Sequence, residues 1–565
     1  MFNNSQIGGV FMKVIVVGGV AGGATAAARL RRISEKTEIV VFERGKYVSF
    51  ANCGLPYYIG GEIKEREKLL VQTVEGMSKR FAMDIRNETE VTSINRNTKT
   101  VTAVHLPTGK EYTESYDKLL LSPGARPVIP PIPGLKESEN LFTLRNIPDT
   151  DQINGWIEER KPAQAVIVGG GFIGLEMAEN LYACGMDVTI VEMADQIMAP
   201  LDKEMASIVE NRVRDFAELY LNDGVKEFRQ KGNKIILSSG KELSSDLTIL
   251  SIGVTPENKL AEQAGLALGE RGGIIVDEYL QTDDPYIYAV GDAVETIDYI
   301  LQKPVVVPLA WPANRQGRIV ADTISGKPAA YPGTLGTAIA KVFDLTAASA
   351  GKNEKQLREA GINYKAVHIH PLSHAGYYPG AEQISMKLLF DPGQGTILGV
   401  QAVGKEGVDK RVDVISTAIR GNLTVFDLQE IELSYAPPYS SAKDPVNMLG
   451  YAASHVAEEE IDVVHAWEIN KRIEAGEMLV DVRTPEEFKK GSVPGAVNID
   501  LDSLRERLAD FPKDKPVNIT CQVGLRGYIA VRILKENGIE ARNLSGGYKT
   551  YSELFRSQEM NALFI

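Results

Sequence analysis

Lys13-Val14-Ile15-Val16-Val17 runs directly into Gly18-Gly19-Val20-Ala21-Gly22-Gly23, and an alanine-rich stretch ending at Arg31-Arg32 follows. A short apolar run closed by glycines and continued by good helix formers predicts a buried strand, a tight turn and a helix. The next apolar run, Glu38-Ile39-Val40-Val41-Phe42, ends at Glu43, 20 residues past Gly23. At that spacing a carboxylate can accept hydrogen bonds from ribose hydroxyls, while the turn and the helix amino end face a pyrophosphate. Val20 stands where the G-x-G-x-x-G pattern has its middle glycine, so this copy is a variant.

A complete second copy follows. Ala165-Val166-Ile167-Val168 leads into Gly169-Gly170-Gly171-Phe172-Ile173-Gly174, and the strand expected over residues 187–191 ends at Glu192. Two such units with acidic strand ends predict an α/β protein that binds two dinucleotides. Glu192 suits a free 2′-hydroxyl and repels a 2′-phosphate, and no arginine directly follows it, so NADH is favoured over NADPH.

The 565 residues imply several domains, and 44% hydrophobic with 24% charged residues is ordinary for a soluble enzyme. No stretch reaches the roughly 18 apolar residues of a membrane helix. Residues 1–11 lack a basic segment and a long apolar segment, which argues against a secretory signal and makes Met12 the expected natural start. Three cysteines, Cys53, Cys184 and Cys521, cannot build a disulfide framework and suit a reducing cytoplasm. The formal charge of −13 argues against a nucleic-acid footprint, so an anionic ligand needs a local basic cluster. No metal-ligand pattern is expected.

Ile287-Tyr288-Ala289-Val290-Gly291-Asp292-Ala293 places an aspartate after a third short strand. The order of first glycine motif, Leu121-Ser122-Pro123-Gly124-Ala125, second glycine motif and Val290-Gly291-Asp292 resembles the FAD-dependent pyridine nucleotide–disulfide oxidoreductases over about residues 12–450. The resemblance implies FAD on the first motif (Gly18, Val20, Ala21, Gly23, Glu43), with Asp292 on the flavin's ribityl or phosphate groups. It implies the nicotinamide nucleotide on the second (Gly169, Gly171, Ile173, Gly174, Glu192). Asn52, Ser122, Gly124, Gly253, Gly291 and Ala310 complete the cofactor set. Two Rossmann-like domains are therefore expected, the FAD domain discontinuous over 12–120 and 255–334 and the NADH domain over 121–254. An α+β dimerisation domain is expected over 335–455.

The cysteines choose the branch. Disulfide reductases carry a C-x4-C pair, but Val48 and Tyr58 stand five residues either side of Cys53. Cys184, on the helix after the second motif, is expected to be a packed small hydrophobe. A lone cysteine beside a flavin can cycle as sulfenic acid or form a mixed disulfide with a small thiol. Ser49-Phe50-Ala51-Asn52-Cys53-Gly54-Leu55-Pro56-Tyr57 looks like coenzyme A-disulfide reductases. That likeness implies coenzyme A contacts at Thr25, Arg29, Arg32, Ser49, Asn52, Asn314 and Lys443, although Arg29 departs from the uncharged residue expected there. Arg29, Arg31 and Arg32 read either as a phosphate patch or as a solvated helix end complementing its dipole. Tyr377 and Tyr435 match tyrosines that, in those relatives, reach the other subunit's thiol. They are either proton donors to a sulfur leaving group or interface aromatics, and both readings require a homodimer.

Past residues 457–462, an acidic linker-like stretch, a separate α/β module is expected over 456–565. Asp481-Val482-Arg483-Thr484-Pro485-Glu486-Glu487-Phe488 and Gly491-Ser492-Val493-Pro494-Gly495-Ala496 look like a rhodanese domain, with Ser492 where histidine is common. Cys521-Gln522-Val523-Gly524-Leu525-Arg526 can curl its N–H groups toward the sulfur, backed by the Arg526 guanidinium and a helix amino end, and so stabilise a thiolate or persulfide. Related phosphatases use C-x5-R, but position 527 here is glycine, so the loop suits sulfur rather than phosphate.

Together these features imply an NADH-dependent flavoprotein reductase of coenzyme A persulfide, polysulfide and coenzyme A disulfide, with catalytic Cys53 and a sulfane-sulfur carrier at Cys521. The rivals are a coenzyme A-disulfide reductase for thiol homeostasis, an NADH oxidase or peroxidase cycling Cys53 through sulfenate, and a non-catalytic docking or redox-sensing role for the carboxyl-terminal module.

Overall fold

The computed structural model describes residues 12–562, with side chains described through residue 557, so the extension 1–11 lies outside the described residues. The chain divides into two compact units. Of the described residues, one takes 12–163 with 183–186 and 246–334; the other takes 164–182, 187–245 and 335–562.

In the first unit the expected strand Lys13–Val17 is the middle of a five-stranded parallel sheet. The order is Ile287–Ala289, Lys118–Leu121, Lys13–Val17, Glu38–Phe42, Asp84–Arg86. Val14, Ile15 and Val16 are buried, which is why the run is continuously apolar instead of alternating. The helix Ala21–Ile33 packs on the helix Ala310–Ile324 at two glycines: a Cβ on Gly317 would lie 2.4 Å from the Gly22 carbonyl oxygen. Gly22 also lies against Val290, where a Cβ would stand 2.9 Å from Cγ2, so the Gly291-Asp292 turn sits beside the first glycine turn.

In the second unit the strand Gln164–Val168 pairs in parallel with Asp187–Val191, which pairs with Glu218–Tyr220. A five-stranded antiparallel sheet follows, ordered Ala338–Val342, Leu345–Gly351, Ile397–Gly404, Ile384–Phe390, Lys365–Ile369. The carboxyl-terminal module is a five-stranded parallel sheet, ordered Asp462–Val464, Ala541–Leu544, Val517–Thr520, Met478–Asp481, Val497–Asn498. Its last helix, Gly547–Ala562, packs on the helix Lys203–Val213 through Asn211, whose amide donates to the Glu553 carbonyl at 2.9 Å and carboxylate at 2.7 Å.

Under that packing lies an ionic knot. Lys387 Nζ, fully buried, stands 2.8 Å from Asp202, 2.5 Å from Glu204 and 2.5 Å from Glu354. Burial alone would depress this ammonium, but the three carboxylates outweigh it and raise its pKa above the ordinary lysine value. The ammonium therefore supplies the counter-charge at the one group of carboxylates that, among the described residues, is close-set enough to attract a cation. No helix of the described residues is long and apolar enough to cross a membrane.

Candidate functional site

The two glycine turns have the same hydrogen-bond plan. Gly18 donates to the Phe42 carbonyl at 2.8 Å, and Gly19 donates to Glu43 Oε2 at 2.8 Å. In the second copy Gly169 donates to the Val191 carbonyl at 2.8 Å and Gly170 to Glu192 Oε2 at 2.7 Å. Each acidic strand end is thus tied to the middle of its turn, and each accepts a second N–H two residues on, Gly45 at 2.7 Å and Ala194 at 2.8 Å. The remaining lone pairs stay available to ribose hydroxyls. Burial pushes the Glu43 carboxyl up, opposed by the Gly19 and Gly45 N–H groups.

The first turn is drawn tight. A Cβ on Gly18 would lie 2.1 Å from the Ser122 carbonyl oxygen, and one on Gly23 would lie 1.9 Å from the Gly18 carbonyl oxygen. Ser122 Oγ closes the turn by donating to the Gly18 carbonyl at 2.9 Å. Val20 caps the helix Ala21–Ile33, and among the described residues no side chain competes for its first-turn N–H groups. These are the features that admit a pyrophosphate, so the residues fit FAD. Gly124 and Gly253 flank opposite ends of the antiparallel strand pair Ala125–Pro127 and Val254–Pro256, where Glu257 donates to the Gly124 carbonyl and Val128 to the Gly253 carbonyl. Gly291 donates to Gln316 Oε1 at 2.7 Å on the helix that Ala310 begins. Burial raises the Asp292 carboxyl, with Arg145 as the opposing charge. In the second copy Gly171 precedes the helix Phe172–Ala183, whose first turn holds Ile173 and buried Gly174.

Arg145 was not legible as a site residue. It is a half-buried guanidinium that donates to the Pro123 carbonyl at 3.3 Å and adds positive charge near both Glu43 and Asp292. The only local signal is its place just before Asn146, which caps the helix Ile147–Arg160 with Asp149 in a capping box.

Cys53 is exposed in the one-turn helix Asn52–Gly54, directly before the helix Leu55–Ile59. Ser49 donates its N–H to the Gly19 carbonyl at 2.9 Å and takes a left-handed φ of 45°, a conformation most side chains avoid. Asn52 Nδ2 donates to the Arg145 carbonyl at 3.3 Å. Thr25 Oγ1 and Asn314 Oδ1 meet at 2.6 Å, so those two expected contacts stand together.

The arginine patch is divided by helix rotation. Arg31 is buried and donates to the carbonyls of Phe81, Ala82, Ser34 and Glu35, so it belongs to the fold and not to a phosphate patch. Arg29 is bound to Asp322 at 2.7 Å. Arg32 is exposed, with its guanidinium 5.5 Å from the Phe81 ring centroid, and Lys443 is exposed beside Asp444. Cys184 also departs from expectation: it lies just past the end of its helix, exposed, and its Sγ donates to the Ile59 carbonyl at 3.4 Å.

The phenols of Tyr377 and Tyr435 meet at 2.8 Å on an exposed surface, and this hydrogen bond raises the Tyr377 pKa. Cys521 is buried at the end of the strand Val517–Thr520, and its Sγ accepts the Gly524 N–H at 3.1 Å. Gly524, at φ 101°, caps the helix Leu525–Glu536, which puts Arg526 in the helix's first turn. There its guanidinium makes a two-point pair with Glu487, both bonds 2.7 Å, and the pair holds the Glu487 carboxyl down at about 2. Arg483 braces the loop from the other side. It is paired with Asp481 at 2.7 Å and donates to Gln522 Oε1 at 3.0 Å.

Comparison with known proteins agrees with this geometry. Residues 12–317 match the pyridine nucleotide-disulphide oxidoreductase family, 337–445 match its dimerisation domain, and 466–554 match the rhodanese-like domain. A coenzyme A disulfide reductase of Staphylococcus haemolyticus is 39% identical over 447 residues, 78% of this chain and 99% of that protein. The crystal structure of reduced Bacillus anthracis CoADR-RHD superimposes with a TM-score of 0.96 at 55% identity, covering 97% of this chain and 98% of that one. A NAD-dependent persulfide reductase from A. fulgidus superimposes at 0.90 with 39% identity, covering 96% and 100%.

Proposed function

The chain belongs to the pyridine nucleotide-disulphide oxidoreductases, which work with FAD and a pyridine nucleotide, and carries a rhodanese-like domain; from that premise we propose that it is an NADH-dependent reductase of coenzyme A persulfide or polysulfide and of coenzyme A disulfide. The observation that carries the proposal is the exposed Cys53, four residues past Ser49, whose N–H is bound to the first glycine turn, in a chain that also holds Cys521 against the Gly524 N–H. The likeness to a coenzyme A disulfide reductase and to a NAD-dependent persulfide reductase supports the substrate class.

FAD, when bound, passes the hydride of NADH on as an electron pair. The Cys53 thiolate attacks the sulfur bonded to coenzyme A, the S–S bond of the persulfide breaks, and hydrosulfide leaves. The Cys53–coenzyme A disulfide then takes the electron pair and a proton, returning the Cys53 thiolate and coenzyme A thiol. The sum is CoA-S-SH + NADH + H⁺ → CoA-SH + H₂S + NAD⁺. The hydrogen-bonded Tyr377 and Tyr435 phenols are assigned to the partner subunit's Cys53 in a homodimer, as the donor to the leaving sulfur. Thr25, Ser49, Asn52, Asn314, Arg32 and Lys443 are assigned to coenzyme A, with Arg29 secondary because Asp322 already holds it. Preference for NADH rests on Glu192, a fixed carboxylate followed by exposed Met193 and by no nearby arginine in sequence. Cys521 is assigned as the sulfane-sulfur carrier, and the division into FAD, NADH, dimerisation and rhodanese domains is adopted with the boundaries given above.

Anaerobic NADH titration of the wild type and Cys53→Ser with coenzyme A persulfide, following flavin absorbance and sulfide, tests the assignment. Sulfide release should be lost in the variant; release at the wild-type rate would remove Cys53 from the mechanism.

A further inference from the structure

The Cys521 loop rests on a turn whose other side is held by another domain. The Cys521 carbonyl accepts the Tyr548 N–H at 2.8 Å and the Gln522 carbonyl accepts the Lys549 N–H at 3.0 Å, so residues 545–550 form the floor of the loop. The turn is made by Gly546 and Gly547, at φ 72° and 62°. A Cβ on Gly547 would lie 2.4 Å from the Cys521 carbonyl oxygen, and one on Gly546 would lie 3.0 Å from His370 Nε2. The floor is therefore wedged between the cysteine and the antiparallel sheet.

On that sheet two histidines bracket the turn. The His368 N–H donates to Ser545 Oγ at 2.9 Å, and its ring joins Ser545 Oγ at 3.0 Å to Glu204 Oε1 at 2.9 Å, on the edge of the Lys387 knot. The His370 ring joins Thr550 Oγ1 at 2.8 Å to Ser385 Oγ at 2.9 Å. All of these side chains are buried, where an unmatched hydroxyl or ring nitrogen is costly, so the three bonds to Ser545 and Thr550, with the two that anchor the rings to Glu204 and Ser385, fix the turn's position. Burial pushes His370 down to about 3, so it serves as a neutral spacer between two hydroxyls.

We infer that His368 and His370 are positioning residues for sulfur transfer at Cys521: they pin the 545–550 turn, so the cysteine loop takes its working shape only while the rhodanese-like domain is seated on its own subunit's dimerisation sheet. The inference rests on the assignment of Cys521 as sulfur carrier.

The test uses the full-length enzyme, coenzyme A persulfide as sulfur donor and cyanide as acceptor, with thiocyanate as the product read. Thr550→Val, which keeps shape and deletes the hydroxyl, and His370→Ala should each lower kcat roughly tenfold with KM for the persulfide unchanged. Their effects should not add in the double variant, His370→Gln should recover part of the rate, and NADH oxidation with coenzyme A disulfide should stay within about twofold of wild type. If Cys521→Ser abolishes transfer while Thr550→Val and His370→Ala both keep kcat within about twofold, the inference fails and the carrier assignment stands. Transfer that survives Cys521→Ser overturns both. An equal loss of reductase and transferase activity in both variants marks a general structural role and also overturns the inference.

Discussion

Replacing Lys387 with methionine keeps the bulk of the side chain and deletes the ammonium that three carboxylates share. Removing one partner of a buried ion pair typically costs about 3–5 kcal/mol. One cation here answers three anions, which places the cost toward the upper end. A limit is also visible: burial already raises the Asp202 carboxyl, and without Lys387 it can take up a proton and so cap the loss. Hydrogen exchange in the strand Ile384–Phe390, which carries residue 387, reads the effect where it arises. A loss of about 3–5 kcal/mol is a fall in protection of roughly a hundredfold to several thousandfold. Adding Glu354→Gln should restore part of it, because the repulsion is relieved. The knot also predicts its own pH limits. Lys387 is raised in the folded chain, so its contribution is full below the ordinary lysine pKa and drains as pH climbs through the higher folded value. Glu204 is lowered, despite burial, chiefly by Lys387 and His368, so its contribution is present above the ordinary glutamate pKa and is lost as pH falls through the lower folded one. Asp202 is raised and works against both, weakening the fold as pH rises from the ordinary aspartate value toward its folded value. A change in protection of less than about tenfold in Lys387→Met would refute the view that this ion cluster organises the second unit.

Two further outcomes test the cradles. Gly23→Ala puts a Cβ 1.9 Å from the Gly18 carbonyl oxygen, so the turn must open, and the flavin-to-protein absorbance ratio of the purified protein should fall by roughly tenfold or more. Glu192→Ala removes the acceptor of the Gly170 and Ala194 N–H groups along with the negative charge. The NADH-to-NADPH ratio of kcat/KM should drop about tenfold, with NADH itself weakened by the two unmatched donors; an unchanged ratio would show that another residue sets the preference.

What was legible in the sequence is what local spacing determines. A buried strand, a glycine turn and an acidic strand end follow one another within some 30 residues of chain, so the likeness of Gly18 to Gly169 and of Glu43 to Glu192 could be read before any contact was known. The same logic could not tell the arginines apart, because residues one step apart on a helix point about 100° apart, and Arg31 turns inward while Arg32 does not. Arg145 was out of reach, since its interest comes from Glu43 and Asp292, each more than 100 residues away. The His370 and Thr550 pair, 180 residues apart, joins two domains that the sequence can only treat separately.

Cys521 shows how a correct motif can carry a different reason. The spacing from Cys521 to Arg526 suggests a six-residue loop with a guanidinium behind the sulfur. Gly524, in its left-handed conformation, instead ends the loop after four residues and starts the helix there. Arg526 then falls in the first helical turn, where both guanidinium nitrogens that make the pair go to Glu487. That pair favours the charged carboxylate, because the Arg526 guanidinium holds Glu487 well below the usual carboxylate range. The donor at the sulfur is the Gly524 N–H, at the positive end of the helix, 3.1 Å from Sγ. A sulfur-sized loop therefore owes its size to the glycine that closes it, and the arginine ties the closed loop to the Pro485–Lys489 helix through Glu487 while its charge still acts on Cys521.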